Sequence, residues 1–241
     1  MSSETTEGYI ERVDPGEVWR IGYAPDPWAW TDWAYSRDGR FDGRWDAPAG
    51  EYRTVYAGSS YFACLVEVLA RFRPDPELVA EKSEIVEDEL DAVMYPTVGA
   101  GTVDPAWFAA RRAAQAQLGG SYCDVSESST IAALRHNFAE AAIGEFRLAD
   151  FDASALLNSG PRELTQRVGR FIYELPRGAG GPFDGVRFLS RHGADLELWA
   201  IFERADDEAH SRHLSAIRVA EIDPDDPIVA RALRLHALTV G

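Results

Sequence analysis

Hydrophobic positions fall into short bursts separated by Gly, Pro and Asp, and the spacing within each burst predicts its element. Aromatic and β-branched residues crowd Glu17–Tyr23 (EVWRIGY) and Arg53–Gly58 (RTVYAG), which read as strands. Ser59-Ser60 then offers good N-cap hydroxyls for a helix over Tyr61–Phe72. Its Phe62, Leu65, Val66 and Leu69 form a stripe at helical spacing, and Arg73-Pro74-Asp75-Pro76 stops it. Between the two strands, residues 24–50 are rich in Pro, Asp, Gly and Trp. Trp28, Trp30, Trp33 and Tyr35 make an ordered long loop the expectation there, built on packing more than on binding.

Further on, Asp104-Pro105 predicts a helix that runs to Gly119-Gly120. Ala132–Ala142 reads as a helix and Ile143–Leu148 as a strand. Ser159-Gly160-Pro161 opens a helix whose Leu164, Val168, Phe171 and Ile172 share a face. Gly185–Leu189 and Leu196–Phe202 read as strands of a hairpin joined through Ser190–Asp195. A strand near Ser215–Ile222 and a helix over Pro227–Leu238 complete the pattern. Residues 1–16 read as a flexible tail and the acidic run 81–91 as surface. The interleaving of hairpins with helices predicts an α+β domain over 17–241, with mixed or antiparallel sheets and flanking helices rather than a doubly wound parallel sheet.

Composition narrows the partners. The 241 residues carry 24 Lys+Arg against 40 Asp+Glu, a formal net charge of -16, which argues against a broad basic face for nucleic acid and against attraction to an anionic membrane. Lys82 is the only lysine, so the cationic chemistry is that of the arginine fork, suited to carboxylate and phosphate. Cys64 and Cys123 make neither a disulfide framework nor a four-ligand zinc site. His210 and His213 follow a run of acidic residues that reads as a polar connector, so no metal site is expected. The opening MSSETTEGYIERVD has neither the basic start nor the apolar stretch of a signal peptide. No run approaches the ~18 apolar residues that span a bilayer. A cytoplasmic protein is the expectation.

Neither a phosphate-cradling Gly-rich loop nor a G-x-S-x-G elbow occurs. One constellation remains. Gly43-Arg44-Trp45-Asp46 precedes the strand that holds Tyr56, and the next helix carries Glu67 at the edge of its apolar stripe. By spacing alone, Glu67 also fits an exposed i,i+4 pair with Arg71, and Arg44 also fits a loop anchor through Asp42 or Asp46.

The ordered set Gly43-Arg44-Trp45-Asp46, Val55-Tyr56-Ala57, Ala63 to Glu67 and Asp184-Gly185-Val186-Arg187-Phe188-Leu189-Ser190-Arg191 resembles the RES domain family, named for an Arg, a Glu and a Ser. The resemblance covers about residues 17–73 and 160–203. It implies a fold similar to ADP-ribosyltransferases and breakdown of NAD at the nicotinamide–ribose bond, by water or by inorganic phosphate as co-substrate. It implies no cofactor, and a separately encoded antitoxin as partner. Carried onto this chain, it makes Arg44, Glu67 and Ser190 the catalytic set, with Arg20, Tyr56 and Arg191 binding substrate. Two other readings stand beside it: transfer of ADP-ribose to a macromolecule, and a catalytically silent nucleotide- or partner-binding module. Asp46 departs from the Asn found in many members, and would set a negative charge two residues from Arg44. The middle segment, about 76–159, is longer than in compact members and matches nothing in them.

Overall fold

The computed structural model describes residues 12–74, 99–157, 160–176 and 182–241. Its strands are β1 (Arg12–Val13), β2 (Glu17–Tyr23), β3 (Thr54–Gly58), β4 (Thr102–Val103), β5 (Arg111–Leu118), β6 (Tyr122–Asp124), β7 (Gly185–Ser190), β8 (Gly193–Phe202), β9 (Leu214–Glu221) and β10 (Thr239–Val240). The helices are α1 (Tyr61–Leu69), α2 (Pro105–Ala109), α3 (Ser128–Glu140), α4 (Ala153–Leu157), α5 (Arg162–Glu174) and α6 (Pro227–Leu235). Eight strands form one sheet in the order β1-β6-β7-β8-β3-β2-β5-β9, antiparallel except for the β6–β7 pair, while β4 and β10 form a small parallel pair. The chain is therefore α+β, as its pattern predicts.

The sheet is covered on both faces. On one, α1 and α5 bury Leu65, Leu69, Leu164, Val168 and Ile172 in a core shared with Phe188 and Leu198, and α6, with Val229 buried, packs on α1. On the other, Trp28 and Trp30 from the long 24–50 loop pack with Val18, Val55, Ala114 and Trp199. Those two tryptophans are core, as expected, whereas Tyr35 is 81% exposed.

Two predicted elements are overturned. The helix expected from Asp104 to Gly119 is only five residues long, capped by Asp104, and Arg111–Leu118 is a strand. Its Ala, Arg, Gln and Leu favour a helix intrinsically. Pairing decides otherwise: the segment lies between β2 and β9, in register with β2 from Glu17↔Gln117 to Tyr23↔Arg111. Its Ala114 and Ala116 are the small residues on which the loop tryptophans sit. The strand expected at Ile143–Leu148 does not form. Ala141–Glu145 instead extends α3 by a wide helical turn, leaving Ile143 47% exposed.

The hairpin is tighter than predicted, with β7 reaching Ser190 and β8 starting at Gly193. Within the expected tail, Arg12–Val13 pairs with Tyr122–Cys123. The acidic run 81–91 and residues 1–11 lie outside the described residues.

Candidate active site

A cleft opens where β2 and β3 part. The two strands are neighbours in the sheet yet match in register only at Trp19↔Gly58. Arg20 fills the seam: its Nη1 donates to the Tyr56 carbonyl and its Nε to the Pro27 carbonyl, both at 2.6 Å. A carbonyl that a paired strand would satisfy is thus satisfied by a guanidinium. Burial depresses the Arg20 pKa to about 10, which leaves it charged at neutral pH.

The cleft has two adjoining compartments that share Tyr56, Glu67, Phe188 and Leu198. The first, about 150 Å³, is mostly apolar and adds Arg20, Ile21, Ala57, Cys64 and Val68. The second, about 230 Å³, is cationic and adds Gly43, Arg44, Arg162 and Arg191. Glu67 therefore stands at the boundary between an apolar wall and a set of guanidinium groups.

Glu67 reaches this place because α1 is fixed at both ends. The Ser60 hydroxyl accepts from the Ala63 N–H at 3.1 Å, and the buried stripe Ala63, Cys64, Leu65, Val66 and Leu69 sets the rotation of the helix. At its far end His236 bonds the Val66 carbonyl at 2.8 Å and accepts from Arg73 Nε at 2.7 Å. Ser190, 4% exposed at the end of β7, donates to Glu67 Oε1. The Ser190 oxygen in turn accepts from the His192 backbone N–H at 2.9 Å, which fixes the direction of the hydroxyl. Among the described residues no ion pair joins Glu67 to Arg71, so the i,i+4 alternative is not realised.

The loop that carries Arg44 is held from inside. Asp46, 5% exposed, accepts from the Gly43 N–H and from the Tyr56 hydroxyl, the latter at 2.9 Å. That hydroxyl accepts from the Trp45 N–H at 2.9 Å. Burial raises the Asp46 pKa, opposed by these bonds. The carboxylate turns into the loop and forms no ion pair with Arg44 among the described residues. The departure from Asn at this position thus serves the loop and does not sequester the arginine. Gly43 is required by close approach, since a Cβ there would lie 2.4 Å from both Asp46 Oδ2 and the Tyr56 hydroxyl.

Arg44 itself is loosely held. Nη1 lies 3.4 Å from the Leu156 carbonyl, and the guanidinium sits 5.7 Å from the Phe188 ring centre. Burial lowers its pKa, Glu67 and Tyr56 work against that, and Arg191 and Arg162 add to it. The Leu156 contact shows one thing the middle segment does: α4, near its end, forms part of the wall beside Arg44.

All six predicted residues meet at this cleft: Arg20, Arg44, Tyr56, Glu67 and Arg191 line it, and Ser190 is bonded to Glu67. Arg20 and Tyr56 have structural work as well, Arg20 across the seam and Tyr56 within the loop. Sequence reasoning missed Arg162, which donates to the Asp42 carbonyl and lines the cationic compartment, because it lies 118 residues beyond Arg44 with no local motif. It also missed Gln166, which bonds the same loop. Away from the cleft, His213 bonds Asp184 at 3.1 Å, and no group of three His, Cys, Asp or Glu gathers among the described residues. No helix among them is long and apolar enough to cross a membrane.

No curated protein matches this chain. Among solved structures, the M. tuberculosis MbcT–MbcA toxin–antitoxin complex matches 96% of this chain and 93% of that chain, with 17% sequence identity and a TM-score of 0.47. The family model described as RES domain matches residues 17–221, a span that contains the whole cleft. The chain belongs to the RES domain family.

Proposed function

We propose that the protein degrades NAD by cleaving the nicotinamide–ribose bond. The observation that carries this reading is the position of Glu67, held by Ser190 between an apolar and a cationic compartment of one cleft. NAD has the matching chemistry: an aromatic cation as leaving group, a ribose, and a diphosphate. In this reading Arg44, Arg162 and Arg191 hold the diphosphate by charge-assisted bonds, and the nicotinamide end lies against Tyr56 in the apolar compartment.

As the C1′–N bond breaks, its electron pair leaves with nicotinamide and positive charge develops on the ribose. Glu67 stabilises that oxocarbenium-like state. Water or inorganic phosphate then bonds to C1′; with water, a proton is released and ADP-ribose forms. Ser190 orients the carboxylate, and the reaction draws on no resident cofactor. Family membership supports a further part of the proposal, that the protein is the toxin of a pair with a separately encoded antitoxin.

The test is phosphorus NMR of NAD incubated with the purified protein, with and without phosphate. NAD should be consumed and nicotinamide released, with a new sugar-phosphate resonance only if phosphate is the acceptor. Glu67→Gln should abolish turnover while the circular dichroism spectrum is retained. A folded wild-type protein that leaves NAD intact in both buffers refutes the proposal. ADP-ribose found on an added macromolecule in place of free product would convert the reading to transfer.

A further inference from the structure

Arg44 raises a question of aim. Among the described residues its guanidinium has one long bond and one ring contact, so its direction is set mainly by the backbone from which it springs. That backbone is gripped by a stripe on α5. Arg162 donates to the Asp42 carbonyl. One turn on, the Gln166 Nε2 donates to the Gly43 carbonyl at 3.0 Å and to the Phe41 carbonyl at 3.4 Å. Near the next turn comes Gly169, where an added Cβ would sit 3.3 Å from the Trp45 carbonyl, so helix and loop lie flush. Positions 162, 166 and 169 share one side of the helix. The other side is locked by the buried Leu164, Val168 and Ile172.

Gln166 is the member of this stripe that is buried, at 7% exposure, and polar. Its amide offers two hydrogens, and the two carbonyls on either side of the Asp42–Gly43 pair each take one. Glu or Met would fill the same space without that pair of donors. We infer that Gln166 is a positioning residue, which aims Arg44 into the cleft by clamping the carbonyls of Phe41 and Gly43. It touches no substrate and acts through the loop. The inference rests on the reading that Arg44 holds the anionic part of the substrate, and it goes beyond the motif residues on which that reading was built.

The test is a double-mutant cycle between Gln166→Met and Arg44→Ala, followed by NAD kinetics and by calorimetric titration with inorganic pyrophosphate. Gln166→Met should raise KM for NAD about tenfold with kcat changed far less, and should weaken pyrophosphate binding by a similar factor. In the Arg44→Ala background the same substitution should have almost no further effect on either quantity, because its route of action is gone. General destabilisation would instead lower the melting temperature and cost the same factor in both backgrounds, which overturns the inference. Gln166→Glu, which keeps the shape and loses the donors, carries the cycle if Gln166→Met does not fold. If neither variant folds, the role is scaffolding and the inference fails.

Wild-type protein that binds pyrophosphate but leaves NAD intact refutes the proposed function while the pyrophosphate cycle still decides the role of Gln166. Wild-type protein that binds no pyrophosphate refutes the positioning role itself.

Discussion

Removing one oxygen atom, in Tyr56→Phe, separates the two kinds of work that Tyr56 can do. The hydroxyl gives up two bonds at 2.9 Å: the one it donates to Asp46 and the one it accepts from the Trp45 N–H. A hydrogen bond to a charged group contributes about 1.5–3 kcal/mol, and a buried N–H left without a partner costs about 1–3 kcal/mol. Part of that is offset because the phenylalanine ring buries no hydroxyl. A net loss of roughly 3 kcal/mol is expected, which for a chain of this size lowers Tm by roughly 6–12 °C. The pH dependence has a definite sign. The folded Asp46 pKa is raised by burial, so its ionisation costs stability above that value and the cost is relieved as pH falls towards the ordinary 3.8. Losing the Tyr56 donor raises the folded value further, so the defect should be full at neutral pH and smaller under acid conditions. Urea unfolding at pH 7.5 and pH 4.5 measures both terms, and NAD turnover is read on the same samples. If the unfolding midpoint is unchanged while turnover is lost, the hydroxyl acts on the substrate and the loop argument is refuted.

Three further outcomes follow from the same geometry. Gly43→Ala places a methyl group 2.4 Å from Asp46 Oδ2 and the Tyr56 hydroxyl, so the loop must shift; KM for NAD should rise by an order of magnitude or more, and an unchanged KM would refute the clash. Ser190→Ala removes the donor to Glu67 and leaves the His192 N–H without its acceptor; kcat should fall at least about tenfold with a smaller change in KM, and steady-state kinetics check it. Burial holds the His236 pKa below 6.5, with Arg73 acting the same way. Its stabilising contribution is therefore present above 6.5 and lost as pH falls through the depressed folded value, so the urea midpoint should drop between pH 7.5 and pH 5.5, and less so in His236→Gln.

The local signals that proved legible share a property: each is complete within a few residues. Ser60 caps α1 with its own hydroxyl, and the stripe from Ala63 to Leu69 sets which way Glu67 faces. Asp104-Pro105 does start a helix, and Gly185–Ser190 does turn back as a hairpin. The motif residues Arg44, Tyr56, Glu67 and Ser190 could be singled out because they sit in short recognisable strings. Arg162 and Gln166 could not, since a helix face 118 and 122 residues beyond Arg44 shows in sequence only as polar positions on an amphipathic helix.

The sequence alone therefore determined the α+β class, the capped helix that bears the carboxylate, and the residue types of the site. Tertiary structure decided three things. It made Arg111–Leu118 a strand, because pairing with β2 and β9 outweighs the helix preference of Ala, Arg and Gln. It turned Asp46 inward, where burial joins it to Gly43 and Tyr56 rather than to Arg44. It also opened the cleft, since a sheet in which β2 and β3 match at a single register position leaves a seam for Arg20 and a cavity beside Glu67. Propensity and capping act over one or two turns of chain and are written locally. Strand partners, burial and the convergence of distant guanidinium groups depend on contacts that exist only once the chain has closed on itself.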